Sequence, residues 1–259
     1  MGGFVSVLIV DFYTRDRTMK LVRDLSDDDS VREILIVDNT GDQVYQEGWQ
    51  CEGNTRVVLS PVPAGYGSGL NRGAREVDGS THLLLANSDL RVTSGTVGRL
   101  VQALESRCLG AVGATILGED GQPQADSCGR FPDVWTGGDG PDWITGACIL
   151  TPKRVFDELG GFDERFHMYW EDVDFCRRLY ERGFRVAVDE ALVVQHRSGG
   201  STDSGSARYA MARKGRQRYL AKWGRSSLRR HIIGVTSFGK LLVLRTVDVV
   251  VHRRGKRSA

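Results

Sequence analysis

Short runs of valine, isoleucine and leucine recur along the first half of this chain, each followed by a polar turn and then a stretch of helical spacing. They lie at Phe4–Val10, Glu33–Val37 (EILIV), Arg56–Leu59, His82–Ala86 (HLLLA) and Leu109–Ile116. None alternates cleanly between apolar and polar positions, so each reads as a strand buried on both faces, the habit of a parallel sheet. Helical patterns run through Met19, Leu21, Val22 and Leu25, from Gly65 to Val77, and from Thr93 to Glu105. Strand and helix in this alternation predict a doubly wound α/β sheet flanked by helices. Ligands in such sheets bind beyond the carboxyl ends of the strands. Asp38 stands just past the second predicted strand and Asn87-Ser88-Asp89 just past the fourth. Carboxylates there can accept hydrogen bonds from a base or ribose, or hold a divalent cation that bridges phosphates.

The second half changes character. Gly118 to Gly140 is rich in Gly, Asp and Pro and reads as a loop or hairpin; Trp143–Leu150 reads as a strand, and Pro152 opens a helix through Leu159. Gly160 to Gly183 then packs acids among aromatics and arginines. Val173, Cys176 and Tyr180 fall at i, i+3 and i+7, with Phe175 and Leu179 widening that apolar side, so a helix is predicted with Glu171 and Asp172 in its first turn. Unpaired N–H groups and the macrodipole favour negative charge there. The pair therefore admits two readings: surface acids complementing a dipole, or a general base beside the aromatic platform of Tyr169 and Trp170. Two short strands are expected at Arg185–Val188 and Leu192–His196, then a polar loop at Ser198–Ser206 and a basic helix over Ala207–Trp223. With Asp89, His196 would complete a mixed oxygen–nitrogen metal site.

Charge is distributed unevenly. The formal net charge is +2, yet the residues from Arg225 onward carry +8, leaving the body at −6. An acidic body argues against general nucleic-acid binding. Cys51, Cys108, Cys128, Cys148 and Cys176 form no CxxC pair, which suits reduced cytoplasmic thiols rather than a disulfide framework. The start of the chain lacks a basic segment before its apolar run, so no signal peptide is expected. The apolar stretch from Leu228 to His252 is interrupted by Lys240, Arg245 and Asp248. That favours an amphipathic helix on an anionic membrane surface over a transmembrane span. The competing reading docks this helix on the body, or on a second subunit as a homodimer. The expected organisation is a domain over 1–224, with a nucleotide-binding half (about 1–116) and an acceptor-binding, catalytic half (117–224), followed by a basic tail over 225–259.

Several blocks, in order, resemble glycosyltransferase family 2, the inverting GT-A type, and its rhamnosyltransferase-like branch most of all. They are VSVLIVDFY at Val5–Tyr13, EILIVDNTG at Glu33–Gly41, GYGSGLNRG at Gly65–Gly73, LLLANSDL at Leu83–Leu90, the long block Thr145–Arg178, and VVQHRSGGST at Val193–Thr202. The resemblance implies a mixed, mainly parallel GT-A sheet and a donor site for a dTDP, UDP or GDP sugar. It would be built from Asp11 and Phe12 (where the family has a Thr-Tyr-Asn-like triplet), Asp38, Gly67, Asn71, Asn87, Ser88 and Asp89. The glycines before Asn71 would let the chain pass close to the nucleotide. Asn87-Ser88-Asp89 stands at the DxD motif, so Asp89 and His196 would ligate Mg2+ or Mn2+. Asp172, with Glu171 beside it, would be the general base, and Trp170 and Gly146 would line the acceptor pocket. The acceptor would be a glycan, a lipid-linked sugar or a small molecule. The expected setting is the cytoplasm, at the inner face of the membrane, in cell-wall or polysaccharide assembly. Alternatives are a transferase for a soluble natural-product acceptor, a non-catalytic sugar-nucleotide-binding protein, and a nucleotidyltransferase. The last is disfavoured by the missing glycine-rich, lysine-containing loop after the first strand.

Overall fold

A computed structural model describes residues 4–42, 45, 53–197 and 205–224. The alternation expected from the sequence is present: β1 (Val5–Asp11), α1 (Arg15–Ser26), β2 (Val31–Asp38), β3 (Thr55–Leu59), α2 (Tyr66–Arg75), β4 (His82–Asn87), β5 (Leu90–Arg91), α3 (Thr96–Ser106) and β6 (Ala111–Leu117). The second half adds β7 (Cys128–Gly129), β8 (Trp143–Ile144), β9 (Cys148–Pro152), α4 (Lys153–Glu158), α5 (Glu171–Glu181), β10 (Val186–His196) and α6 (Gly205–Trp223). Eight strands form one sheet in the order β3-β2-β1-β4-β9-β6-β10-β5, while β7 and β8 pair separately. The pairs β3–β2, β2–β1, β1–β4 and β6–β10 are parallel, and β9 lies antiparallel between β4 and β6. The sheet is thus of the mixed GT-A kind. A strand from the second half is wedged into the first, so the two halves share one sheet.

Period-two alternation decides which helices cover which face. Val5, Val7 and Ile9 of β1 pack with Leu21, Val22 and Leu25 of α1 and Val97, Leu100 and Leu104 of α3. Leu8 and Val10 face the other way, toward Leu70 of α2, Phe156 of α4, Phe175 and Leu179 of α5, and Tyr219 of α6. Both faces of β1 are therefore apolar, each buried aliphatic side chain stabilising by about 1.5–3 kcal/mol.

The glycines of α2 serve this packing. A Cβ on Gly69 would lie 2.9 Å from Val10 Cγ2, one on Gly73 2.9 Å from Val37 Cγ2, and one on Gly67 2.8 Å from Phe162 Cβ. Gly69 and Gly73 thus let the helix approach the sheet, and Gly67 lets it approach the segment before α5. Gly73→Ala weighs two effects against each other. Helix propensity favours alanine by about 0.5–1 kcal/mol, whereas overpacking costs about 1–3 kcal/mol. The expected outcome is a net loss, read as a lower urea midpoint; a raised midpoint would show that α2 can move off the sheet.

Three local expectations are corrected. The predicted strand Trp143–Leu150 splits into β8 and β9 around Thr145–Ala147, because Thr145 N–H is held by Ser127 O while Cys148 joins the main sheet. The two short strands expected near the end are one strand, β10, whose register shift between Asp189 and Val193 absorbs the polar residues between them. The glycine-rich stretch, read as a loop or hairpin, contributes β7, which pairs with β8 as expected of a hairpin arm. Tyr180 is 38% exposed, whereas Asp174 and Arg177 of the same helix are buried, because α6 covers that side. Among the described residues no helix is long and apolar enough to cross a membrane, and Cys108, Cys128, Cys148 and Cys176 are free. The tail over 225–259 and most of the loop over 198–206 lie outside the described residues; Gly205 and Ser206 open α6.

Candidate active site

Parallel register brings the strand ends together. Asp11 of β1 lies opposite Asp38 of β2, and Val10 opposite Asn87 of β4. From Asn87 two short routes lead outward. Its backbone N–H donates to Ala147 O at 3.0 Å, and the adjacent Gly146 N–H donates to Asp172 Oδ2 at 2.8 Å. Its side-chain amide lies 2.9 Å from His196 Nε2, which in turn is 3.2 Å from Asp89 Oδ1. Asn87 therefore links Asp172, through Ala147 and Gly146, to the Asp89–His196 pair, joining residues distant in sequence. Ser88 faces the other way, accepting from Thr14 Oγ1 at 2.7 Å.

Asp172 is partly buried, its two oxygens accepting from Gly146 N–H and from Val173 N–H at 2.8 Å. Burial raises its pKa above the usual carboxylate range, and these backbone N–H groups only partly offset that. Desolvation thus outweighs the pull of the helix start, and Asp172 is a stronger base than an exposed aspartate. Glu171 is 5% exposed, and its Oε2 has no hydrogen-bond partner among the described residues. Burial first, then the Asp172 charge, raise its pKa well above the ordinary value. Two neighbouring carboxyls both raised by burial are the kind of perturbed pair found at acid–base sites.

The approach to this pair is strained. Tyr169 (φ 65°) and Trp170 (φ 75°) are consecutive left-handed residues, neither a glycine. Each costs about 1–3 kcal/mol and persists only where surrounding contacts over-determine it. Trp170 stacks obliquely on Tyr219 of α6, ring centroids 5.3 Å apart. Gly146 also accepts, through its carbonyl, from the Tyr66 hydroxyl at 2.8 Å. Tyr66 was not singled out in the sequence, where it looked like one more residue of a glycine-rich helix start.

The Asp89–His196 pair passes a test for cation binding. Gln124 Nε2 donates to His196 O at 2.6 Å, which turns Gln124 Oε1 toward His196 Nδ1 at 3.1 Å. With Gln124 Oε1 accepting from Nδ1–H, Nε2 is left facing both the Asn87 amide at 2.9 Å and the Asp89 carboxylate at 3.2 Å, where a proton or a cation can bridge it to Asp89. Two adjacent ligands about 2.1 Å from an octahedral ion are about 3.0 Å apart, close to the spacing here. Gln124 plays the part of the outer partner that fixes a ligating histidine. No group of three or more His, Cys, Asp or Glu converges among the described residues, so the remaining positions would fall to phosphate oxygens and water. Burial tends to raise the Asp89 pKa, but the hydrogen bond and charge of His196, with a smaller contribution from Arg17, bring it below the ordinary value. A cavity of about 250 Å³ opens beside the pair, rimmed by Arg17, Lys20, Arg91 and Arg197. Arg91 is held by Asp24 and Arg197 by Glu119, whereas Arg17 Nη1 is buried with no hydrogen-bond partner among the described residues.

Other expected donor contacts are placed differently. Asp11 is fully buried and accepts from Thr14 N–H at 2.9 Å and from the hydroxyls of Thr18 and Tyr45. Asp38 is 1% exposed and accepts from Thr40 N–H and Oγ1 and from Tyr45 N–H. Both carboxylates shape the loops at the cleft instead of facing it. Asn71 is likewise turned inward, its Oδ1 accepting from Phe162 N–H at 2.7 Å and its Nδ2 donating to Phe162 O and Glu164. Phe12 does reach the surface, at 38% exposure, edge-on to Tyr13.

Comparison with known proteins gives the family and the fold. The family model described as Glycosyl transferase family 2 matches residues 7–173. The chain is 28% identical over 258 aligned residues to the N-acetylglucosaminyl-diphospho-decaprenol L-rhamnosyltransferase of Mycobacterium tuberculosis, covering 82% of this chain and 83% of the relative. It is 23% identical to the low-salt glycan biosynthesis hexosyltransferase Agl10 of Haloferax volcanii, covering 84% of this chain and 75% of that one. In fold it is similar to the mannosyltransferase PcManGT from Pyrobaculum calidifontis, solved in complex with GDP-Man and Mn2+. There the TM-score is 0.63 at 12% identity, covering 100% of this chain and 77% of that chain. The chain belongs to glycosyl transferase family 2 and is a glycosyltransferase.

Proposed function

We infer that this enzyme moves a sugar, rhamnose or another hexose, from a nucleoside-diphosphate sugar to an acceptor hydroxyl with inversion. The observation that supports this reading is the short bridge Asn87–Ala147–Gly146, which ties the backbone beside the Asp172 carboxylate to the residue that contacts His196. Asp172 takes the acceptor proton as the hydroxyl attacks the anomeric carbon from the face opposite the leaving group. Asp89 and His196 would hold a divalent cation, Mg2+ or Mn2+, which when bound offsets charge on the departing diphosphate. Arg17 and Lys20 add positive charge on the same side of the cleft. Phe12 offers a ring against which a base can stack. The acceptor is proposed to be a lipid-linked diphospho-sugar met at the cytoplasmic face of a membrane, because the mycobacterial relative is named for one.

A transfer assay tests this directly. The purified chain is incubated with dTDP-rhamnose, UDP-glucose or GDP-mannose, Mn2+ and a polyprenyl-diphospho-N-acetylglucosamine. The expected product is a nucleoside diphosphate in step with a longer glycolipid. Release of pyrophosphate would make it a nucleotidyltransferase, and donor binding without turnover on this acceptor or on a soluble aglycone would make it a binding protein.

A further inference from the structure

The matched family model ends at residue 173, one residue beyond Asp172, yet the first turn of α5 is gripped by a helix that lies outside it. Along one face of α6, Gly215, Tyr219, Lys222 and Trp223 meet α5 and its approach at successive levels. At the start of α5 a Cβ on Gly215 would lie 2.4 Å from Tyr169 O and 2.9 Å from Trp170 Cδ1, and Tyr219 carries the Trp170 ring. One turn on, Trp223 Nε1 and Lys222 Nζ both donate to the buried Asp174, at 2.8 and 3.0 Å. Further along, the Trp223 ring lies 5.0 Å from the buried Arg177 guanidinium. Tyr219 is itself anchored, its hydroxyl donating to Asp133 at 2.8 Å.

These contacts supply what two consecutive left-handed residues require. A bulky residue at positive φ relaxes unless packing forbids it. At Tyr169 and Trp170 the packing comes from Gly215 and Tyr219, and relaxation there would turn the first residues of α5, Asp172 among them. We propose that α6 is a positioning brace for the general base, with Gly215 as its closest point of contact and Trp223 as its lock on Asp174. The proposal rests on Asp172 acting as the base. Gly215 and Trp223 act through the backbone of residues 169–172 and are positioning residues.

The test compares Gly215→Ala, Trp223→Phe and Asp172→Asn in the full chain. Gly205→Ala is the control, since a Cβ at that exposed helix start meets nothing within 4 Å. Turnover, donor KM, the pH profile of kcat, and binding of dTDP, UDP and GDP with Mn2+ by calorimetry are measured. If the brace sets the base, Gly215→Ala lowers kcat by roughly 30-fold, within the range of general-base effects, with donor KM and nucleotide affinity within about twofold. The acid limb of its profile moves to higher pH, because Asp172 loses the Gly146 N–H that favours its ionised form. Trp223→Phe keeps the ring and removes the donor to Asp174; it shifts kcat and the acid limb in the same direction, by about threefold in kcat. Wild-type kcat and pH profile in Gly215→Ala, or a loss that only follows the unfolded fraction or nucleotide affinity, would overturn the brace. Should Gly215→Ala fail to fold, an unaltered profile in Trp223→Phe overturns it instead. Retained turnover in Asp172→Asn sinks the base assignment itself; an inactive Asp172→Asn beside a normal Gly215→Ala removes only the brace.

Discussion

Asp172→Asn is expected to lower kcat by roughly 10²–10⁴-fold while leaving nucleotide binding within about twofold. The substitution keeps volume and removes the only function a base needs, a lone pair that can hold a proton. Both Asp172 oxygens accept backbone N–H groups, so the amide must set its NH2 against one of them, and a local cost of about 1–3 kcal/mol is expected. A thermal melt separates that cost from lost chemistry. The sign of the pH dependence follows from the same surroundings. Burial raises the Asp172 pKa, so on acidification the wild type loses activity at a higher pH than an exposed aspartate would impose. Glu171→Gln is expected to cost less, about tenfold or below, because burial already favours the neutral form of that carboxyl. Equal losses in the two variants would mean that the pair acts as one proton-sharing unit.

How far the chain could be read in advance depends on which forces leave a local trace. The central strands were legible because a strand covered on both faces is apolar at nearly every position, as in the middles of β1 and β4. The ends of those strands were legible for the same reason: a run such as HLLLA stops where Asn87 meets the cleft. Inward or outward orientation left no trace. Asp11 and Asp38 sit at the ligand edge as expected, yet their partners Thr14, Thr18, Thr40 and Tyr45 claim their oxygens. Spacing along one strand does not reveal which loop folds back over it. Gln124 was invisible because it lies in an aperiodic loop and matters only through β10. Nothing in the sequence sets Arg177 apart from Arg178 beside it. Arg177 is buried because α6, distant in sequence, brings Trp223 over it.

Asp89→Ala and His196→Ala should each weaken metal-dependent nucleotide binding by roughly 30-fold or more, about 2 kcal/mol, and leave metal-free binding nearly unchanged. The stronger form of this prediction concerns the pair. If both side chains hold one cation, the first substitution forfeits most of what the cation contributes, and the second has little left to remove. The double variant should then bind only slightly more weakly than either single variant, a coupling of about 1–2 kcal/mol. Two independent contacts would instead multiply, to about 1,000-fold. Gln124→Ala supplies the graded case. It frees His196 Nδ1 without touching the cleft, and an outer partner of a ligating histidine is worth about 10–100-fold in metal affinity. Calorimetry of dTDP, UDP and GDP with and without Mn2+, on the single and double variants, reads all three. Multiplying losses, or losses equal with and without the ion, would show that Asp89 and His196 are joined by a proton and hold no metal.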